Sequence, residues 1–190
     1  MVDAPRKTVL RSVRFSPTEE EILSQEAKAN GVTFNALISK LVARYVEWDR
    51  FADKYGYVAL PRQSFRYLTS LLSEAQLEDF GKETGHRNAG AITQFWFQRL
   101  NLETFLSFLS LSAKYCRIWQ YEIGRQGTNL VLTVHSDIGP AYAAVHRQYF
   151  DQAIRGILGV VPKVEQKGDS VVFVFPEPSL RFGPPGTRER

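Results

Sequence analysis

The chain has 190 residues, 44% of them hydrophobic and 13% aromatic, enough for a sizeable core and for two domains. A formal net charge of +4 and a pI of about 9.2 give a modest basic excess that suits an anionic partner. The single cysteine, Cys116, excludes an intramolecular disulfide and fits a reducing cytoplasm, while the lack of a bilayer-length apolar run or a leader pattern predicts a cytoplasmic protein without a membrane partner.

The first predicted element is a strand, TVLRSVRF, over residues 8–15. Strand side chains alternate, so Val9, Val13 and Phe15 share one face and Thr8, Leu10, Ser12 and Arg14 the other. Arg11 interrupts the apolar face. Sliding the register by one would expose Val13 and Phe15 instead, at a cost in apolar burial. A lone strand cannot satisfy its backbone groups within one subunit. The economical partner is the same strand of a second copy, and the resulting two-stranded ribbon fits the major groove of DNA. Two helices are predicted next. Ser16 is the N-cap of the first, with Pro17 at its first position and Glu19, Glu20 and Glu21 near the positive end of its dipole. Asn30 and Gly31 end it, and Thr33 caps the second helix. Leu37, Ile38, Leu41, Val42 and Tyr45 recur at helical spacing and are expected to form a core shared by two subunits.

This order, with Arg-Phe-Ser-Pro closing the strand, an acidic first turn, and Gly-Val-Thr-Phe-Asn ahead of an apolar helix, resembles the ribbon-helix-helix family of dimeric repressors. The resemblance covers residues 8–50 alone. It implies a homodimer whose ribbon lies in the major groove of double-stranded DNA, with Leu10, Ser12 and Arg14 at base edges. Arg14 suits guanine, Leu10 suits a thymine methyl, and Ser12 can donate or accept. Phosphate contacts are expected from Arg6, Lys7 and Arg11, and from the N-terminus of the second helix, where Thr33 and Asn35 stand at the family's small polar positions. The stretch from Arg6 to Arg14 carries four basic residues and no acidic one, where a ribbon would approach DNA.

Helical character continues to about Tyr115. One helix is predicted from Ala59-Leu60-Pro61, with Phe65, Leu68, Leu71 and Leu72 on one face. The next has a capping box of Ser73 and Gln76, an interruption at Gly81 and an end at Gly85. The polar run His86-Arg87-Asn88-Ala89-Gly90 reads as a loop. ITQFWFQRL and NLETFLSFLSLSAKY read as two further helices, with Asn101 as the cap between them. From Cys116 the pattern turns to strands. RIWQYEI, a turn from Gly124 to Gly127 and NLVLTVH form a hairpin. Gly139-Pro140 opens a helix to Leu158 that Gly159 closes, and VPKVEQ, the turn Lys167-Gly168-Asp169-Ser170 and VVFVF form a second hairpin.

The expected fold is therefore α+β. A ribbon-helix-helix unit spans 1–52 and a helical connecting region 53–115. A β-β-α-β-β antiparallel sheet with one covering helix spans 116–176, for sensing or oligomerisation, and a proline-, glycine- and arginine-rich disordered tail spans 177–190. Some ribbon-helix-helix regulators, the nickel-responsive repressors among them, carry a C-terminal α+β domain that senses a ligand or joins dimers into tetramers. That likeness is architectural, since their metal-ligand motif finds no match here.

Outside the ribbon, His135 and Asp137 form a candidate ligand site at a strand end that leads into a helix N-terminus. The competing reading is that Asp137 or Ser136 caps the helix. Cys116 and His146 add a weaker Cys/His metal reading, which the spacing does not demand. Glu122, Glu165, Asp169 and His135 lack any catalytic motif, so neither an enzyme nor a cofactor is expected. Phe95, Trp96, Phe97, Phe105 and Phe108 read as core, with an apolar effector pocket as the alternative. The expected function is transcriptional regulation, repression above all, by a homodimer or tetramer that binds double-stranded DNA and answers to an unidentified small-molecule effector. Two rivals stay open: a plasmid antitoxin or relaxosome accessory protein, and a small-molecule or metal binding protein that uses the N-terminal unit for dimerisation.

Overall fold

The computed structural model describes residues 9–178; Arg6, Lys7, Thr8 and the tail beyond 178 lie outside the described residues. The chain divides into two compact units, 1–50 and 51–190. In the first unit the earliest regular element is helix α1 (Pro17–Ala29). The strand expected over residues 8–15 is not formed within the single chain, because residues 9–15 have no ladder partner. The helix starts follow local chemistry. Ser16 Oγ accepts from Glu19 N while Glu19 Oε2 accepts from Ser16 N at 2.7 Å, a reciprocal cap that holds the exposed Glu19 carboxyl below its ordinary range. Asn30 and Gly31 close α1, Gly31 at φ +64°, and Thr33 Oγ1 caps α2 (Phe34–Arg44) by accepting from Ala36 N. A π-helical turn, Tyr45–Asp49, follows α2.

The second unit is mixed α and β. Helices α3 (Arg50–Tyr55), α4 (Arg62–Ser70), α5 (Glu74–Thr84), α6 (Gly90–Phe97) and α7 (Leu102–Cys116) precede strands β1 (Trp119–Gln126) and β2 (Asn129–Ser136). Then come α8 (Pro140–Leu158), β3 (Lys163–Lys167) and β4 (Ser170–Pro176). The four strands make one antiparallel sheet in the order β1-β2-β4-β3. Leu130, Leu132 and Val134 of β2 and Val171, Phe173 and Phe175 of β4 point to one face, where Phe150, Ala153, Ile154 and Ile157 of α8 complete the core. Both hairpins turn tightly, on Gly127-Thr128 and Gly168-Asp169, each with its glycine at positive φ. The first turn is therefore narrower than the Gly124-to-Gly127 turn read from the sequence, and Gly124 stays in the ladder opposite Val131. At the end of β4, Arg125 grips Glu177 with two bonds of 2.6 and 2.9 Å, so the first residue of the expected tail is paired with the sheet.

A second correction concerns His86–Gly90. This run is not a loop, for Gly85–Ala89 forms a π-helical turn that joins α5 directly to α6. Gly81 and Gly85 do not break the helix either; they let it lie against α8. A Cβ on Gly81 would sit 2.4 Å from the Val145 carbonyl oxygen, and one on Gly85 2.6 Å from that of Tyr149. Ala89, four residues further on, is buried. The spacing of four keeps the three small residues on one face. Helix α4 is fastened by its arginines, since Arg62 donates to the Arg117 carbonyl and Arg66 to that of Asp137, both at 2.8 Å, while the Phe65 ring meets Tyr142 edge-on. Among the described residues no helix is long and apolar enough to cross a membrane. Gly81→Ala is expected to destabilise the protein by about 1–3 kcal/mol, although alanine is the better helix former, because α5 and α8 must separate; urea denaturation measures the loss.

Candidate functional site

The residues expected to meet DNA are anchored from Phe15 onward. The Phe15 ring packs edge-on against Phe34 at 5.5 Å. Residues 9–14 are all exposed, Leu10, Ser12 and Arg14 among them, Leu10 at 92%. Arg11 is exposed and reaches only the neighbouring Leu10 carbonyl, at 3.5 Å. Thr33 Oγ1 caps α2 by accepting from Ala36 N, which leaves the hydroxyl proton to donate elsewhere. Asn35 is exposed in the first turn of α2, where helical geometry leaves amide donors without a preceding carbonyl.

The first unit also carries a broad apolar surface. Val9 and Val13 are each 69% exposed, and Ile22, Leu41, Val42, Tyr45 and Val46 are exposed too. With Ile38, the residues from Leu41 to Val46 follow the spacing of a helix stripe that ordinarily faces a core. Among the described residues of this unit, Ala27, Leu37 and Trp48 are the buried apolar ones.

In the second unit His135 and Asp137 each hydrogen-bond to neighbouring residues of the sheet-bearing unit. His135 Nδ1 lies 2.9 Å from Ser170 Oγ, and its Nε2 lies 3.9 Å from Glu122 Oε1 across the sheet. Asp137 accepts from Gln120 through its side chain and from Arg66 through its carbonyl, and its own amide donates to the Ile118 carbonyl. The capping alternative fails. The N-cap of α8 is Gly139, with no side-chain cap, and Ser136 Oγ accepts instead from Ile138 N. Among the described residues no group of three or more His, Cys, Asp or Glu is arranged to hold a metal ion. Burial pushes the Cys116 thiol up to about 11, away from the thiolate that a metal requires.

The aromatic residues weighed as an effector pocket are packed on one another. Trp96, Phe105 and Phe108 are buried, and the Trp96 ring meets Phe51, Tyr55, Tyr57, Phe95 and Phe108 at 5.3–6.5 Å. An open cleft of about 420 Å³ between α5 and α8 is lined by side chains of both charge signs, including Glu78, Asp79, Lys82, Asp151 and Arg155. Arg147 pairs with Glu78 beside it, and Arg155 with Asp151, so much of its charge is already matched.

His146, weighed with Cys116 as a metal ligand, has a seat of its own. Its ring is 2% exposed and boxed by Tyr142, Trp119 and Phe150 at centroid distances of 4.9, 5.4 and 6.0 Å. Neither ring nitrogen has a hydrogen-bond partner, and the adjacent Trp119 Nε1 is likewise unpaired. The signal in the sequence was its place between Tyr142 and Phe150, four residues from each, which puts it on the buried stripe of α8. Compared with protein-family models and with curated proteins, the sequence finds no match.

Desolvation lowers His146 from 6.5 to about 3. The unfolded chain takes up this proton near 6.5 and the folded chain does not until about 3, so stability is complete above 6.5 and falls as the pH drops through that window. The slope is about 1.4 kcal/mol per pH unit. His146→Phe removes this term, and denaturation midpoints measured from pH 7 to pH 4 should diverge steadily in favour of the variant.

Proposed function

We propose that this protein is a sequence-specific DNA-binding transcriptional regulator, a repressor that acts in the cytoplasm as a homodimer or higher homo-oligomer. It is a binding protein rather than an enzyme. Residues 8–15 of two copies pair as an antiparallel ribbon of the ribbon-helix-helix kind, and the ribbon enters the major groove. The observation that carries this reading is the exposed apolar surface of the first unit: Val9, Val13, Leu41, Val42, Tyr45 and Val46 face outward from a unit with well-capped helices. A unit of 50 residues with so little buried apolar surface gains a core by sharing one. Pairing also supplies the missing ladder for residues 9–15, whose backbone groups lack a strand partner in one chain.

Once the ribbon forms and turns Val9, Val13 and Phe15 to the helices, Leu10, Ser12 and Arg14 are the side chains free to read base edges, and Arg14 donates to guanine. Arg6, Lys7 and Arg11 meet phosphates, as do the first-turn amides of α2 around Asn35 and Thr33, whose Oγ1 caps that turn and whose hydroxyl proton is left to donate. The sheet-bearing unit serves oligomerisation or the sensing of a small molecule.

A selection from a random duplex pool at moderate salt tests the reading. The full chain is expected to enrich a motif with two-fold symmetry. Arg14→Ala should lose discrimination at one base pair per half-site, by about 1–3 kcal/mol, whereas Lys7→Ala should weaken all sequences alike. Absence of any enriched motif, or an Arg14→Ala variant as selective as the parent, overturns it.

A further inference from the structure

The sheet has a second face. Register places Val131 and Thr133 of β2 beside Val174 and Val172 of β4, all pointing away from α8, with Glu122 and Gly124 on the β1 side and Glu165 and Lys163 on the β3 side. No element among the described residues covers this face, since the helices that pack on the sheet do so from the α8 side. An antiparallel sheet that leaves one face to water reads polar there. Here the rim is polar and charged, but the centre is three valines and a threonine, all half-buried by their neighbours.

We propose that this face docks on the same face of a second copy, making a two-fold sheet-on-sheet contact separate from the ribbon. The charges select the axis. An axis parallel to the strands would lay β1 over β3 and bring Glu122 to the level of Glu165, a repulsive match. An axis across the strands, passing between the levels of Glu165 and Lys163, sets β3 over its partner β3. Lys163 of each copy then meets Glu165 of the other, so one axis makes the pair twice. The same operation sets Val172 over Val174 and Thr133 over Val131 at the centre, and Glu122 over Gly124, which has no side chain to obstruct it. Stacked sheets lie about 10 Å apart, within reach of lysine and glutamate from opposite edges.

The contact is tested by charge reversal in the full chain, read as mass by sedimentation equilibrium. Lys163→Glu gives an edge with two carboxylates, and Glu165→Lys an edge with two ammonium groups; each alone repels its own copy. Each single variant should lose one doubling of mass, from four copies to two where the ribbon also pairs and from two to one where it does not, so the result is separable from the ribbon reading. An equimolar mixture of the two singles, and the doubly reversed chain, should regain the parent mass, which a folding defect would not permit. Retention of the parent mass by either single variant overturns the proposal, as does failure of both the mixture and the double reversal to restore it.

Discussion

The second unit depends on how closely two helices approach. Helix α8 is gripped on both sides, by the sheet through Phe150, Ile154 and Ile157 and by α5 along Val145 and Tyr149. The α5 contact is possible because Gly81 and Gly85 present no side chain where the α8 backbone passes. With α8 held there, the rest of the architecture has little freedom. Phe65 of α4 settles on Tyr142, the α4 arginines reach the carbonyls of Arg117 and Asp137 at the ends of the first hairpin, and His146 is enclosed with neither nitrogen paired. A buried imidazole without partners is tolerable only as the neutral form, so the packing that holds the unit together also sets its acid sensitivity.

The first unit is built on the opposite principle. Its helices start and stop through local devices, the Ser16–Glu19 box and the Thr33 cap, yet most of its large apolar side chains face outward. Capping determines where a helix begins and cannot replace a core. In the proposed dimer a second copy would give such a unit both a core and a strand ladder, built from the segment that carries the exposed Leu10, Ser12 and Arg14. The proposed association would thus complete the fold and present Leu10, Ser12 and Arg14 twice, with the symmetry of a palindromic site.

The two faces of the sheet repeat this contrast within one element. Alternation sends Leu132, Val134 and Phe173 into the core and Val131, Thr133, Val172 and Val174 outward. An outward centre this apolar, framed by Lys163 and Glu165 on an edge strand, combines the attraction that closes a contact with the charges that orient it. Charges on an edge strand also discourage indiscriminate strand addition, so the same residues disfavour edge pairing while directing face pairing.

Much of the molecule was legible in the sequence because its signals are local. Caps at Ser16, Thr33, Ser73 and Asn101, proline at the starts of α1 and α8, and glycines at the hairpin turns act on the residues beside them, and the β-β-α-β-β order follows. Other features were settled by partners distant in the chain. Gly81, Gly85 and the polar run after them read as interruptions; their meaning came from the α8 backbone, which needs small residues on that face and accepts a π-helical turn beyond them. The partners of His135 and Asp137 could not be read from the sequence: sheet register sets His135 beside Ser170, and loop packing sets Asp137 beside Gln120 and Arg66. The alternation of residues 8–15 marks which side chains can share a face, while a ladder requires a second strand that the single chain does not bring to it. The sequence by itself determined the capped helix starts and the order of the strands and helices along the chain, because those depend on neighbours a few residues away. Only the tertiary structure decided strand order, helix approach and the burial of His146, because those depend on surfaces that meet across the fold.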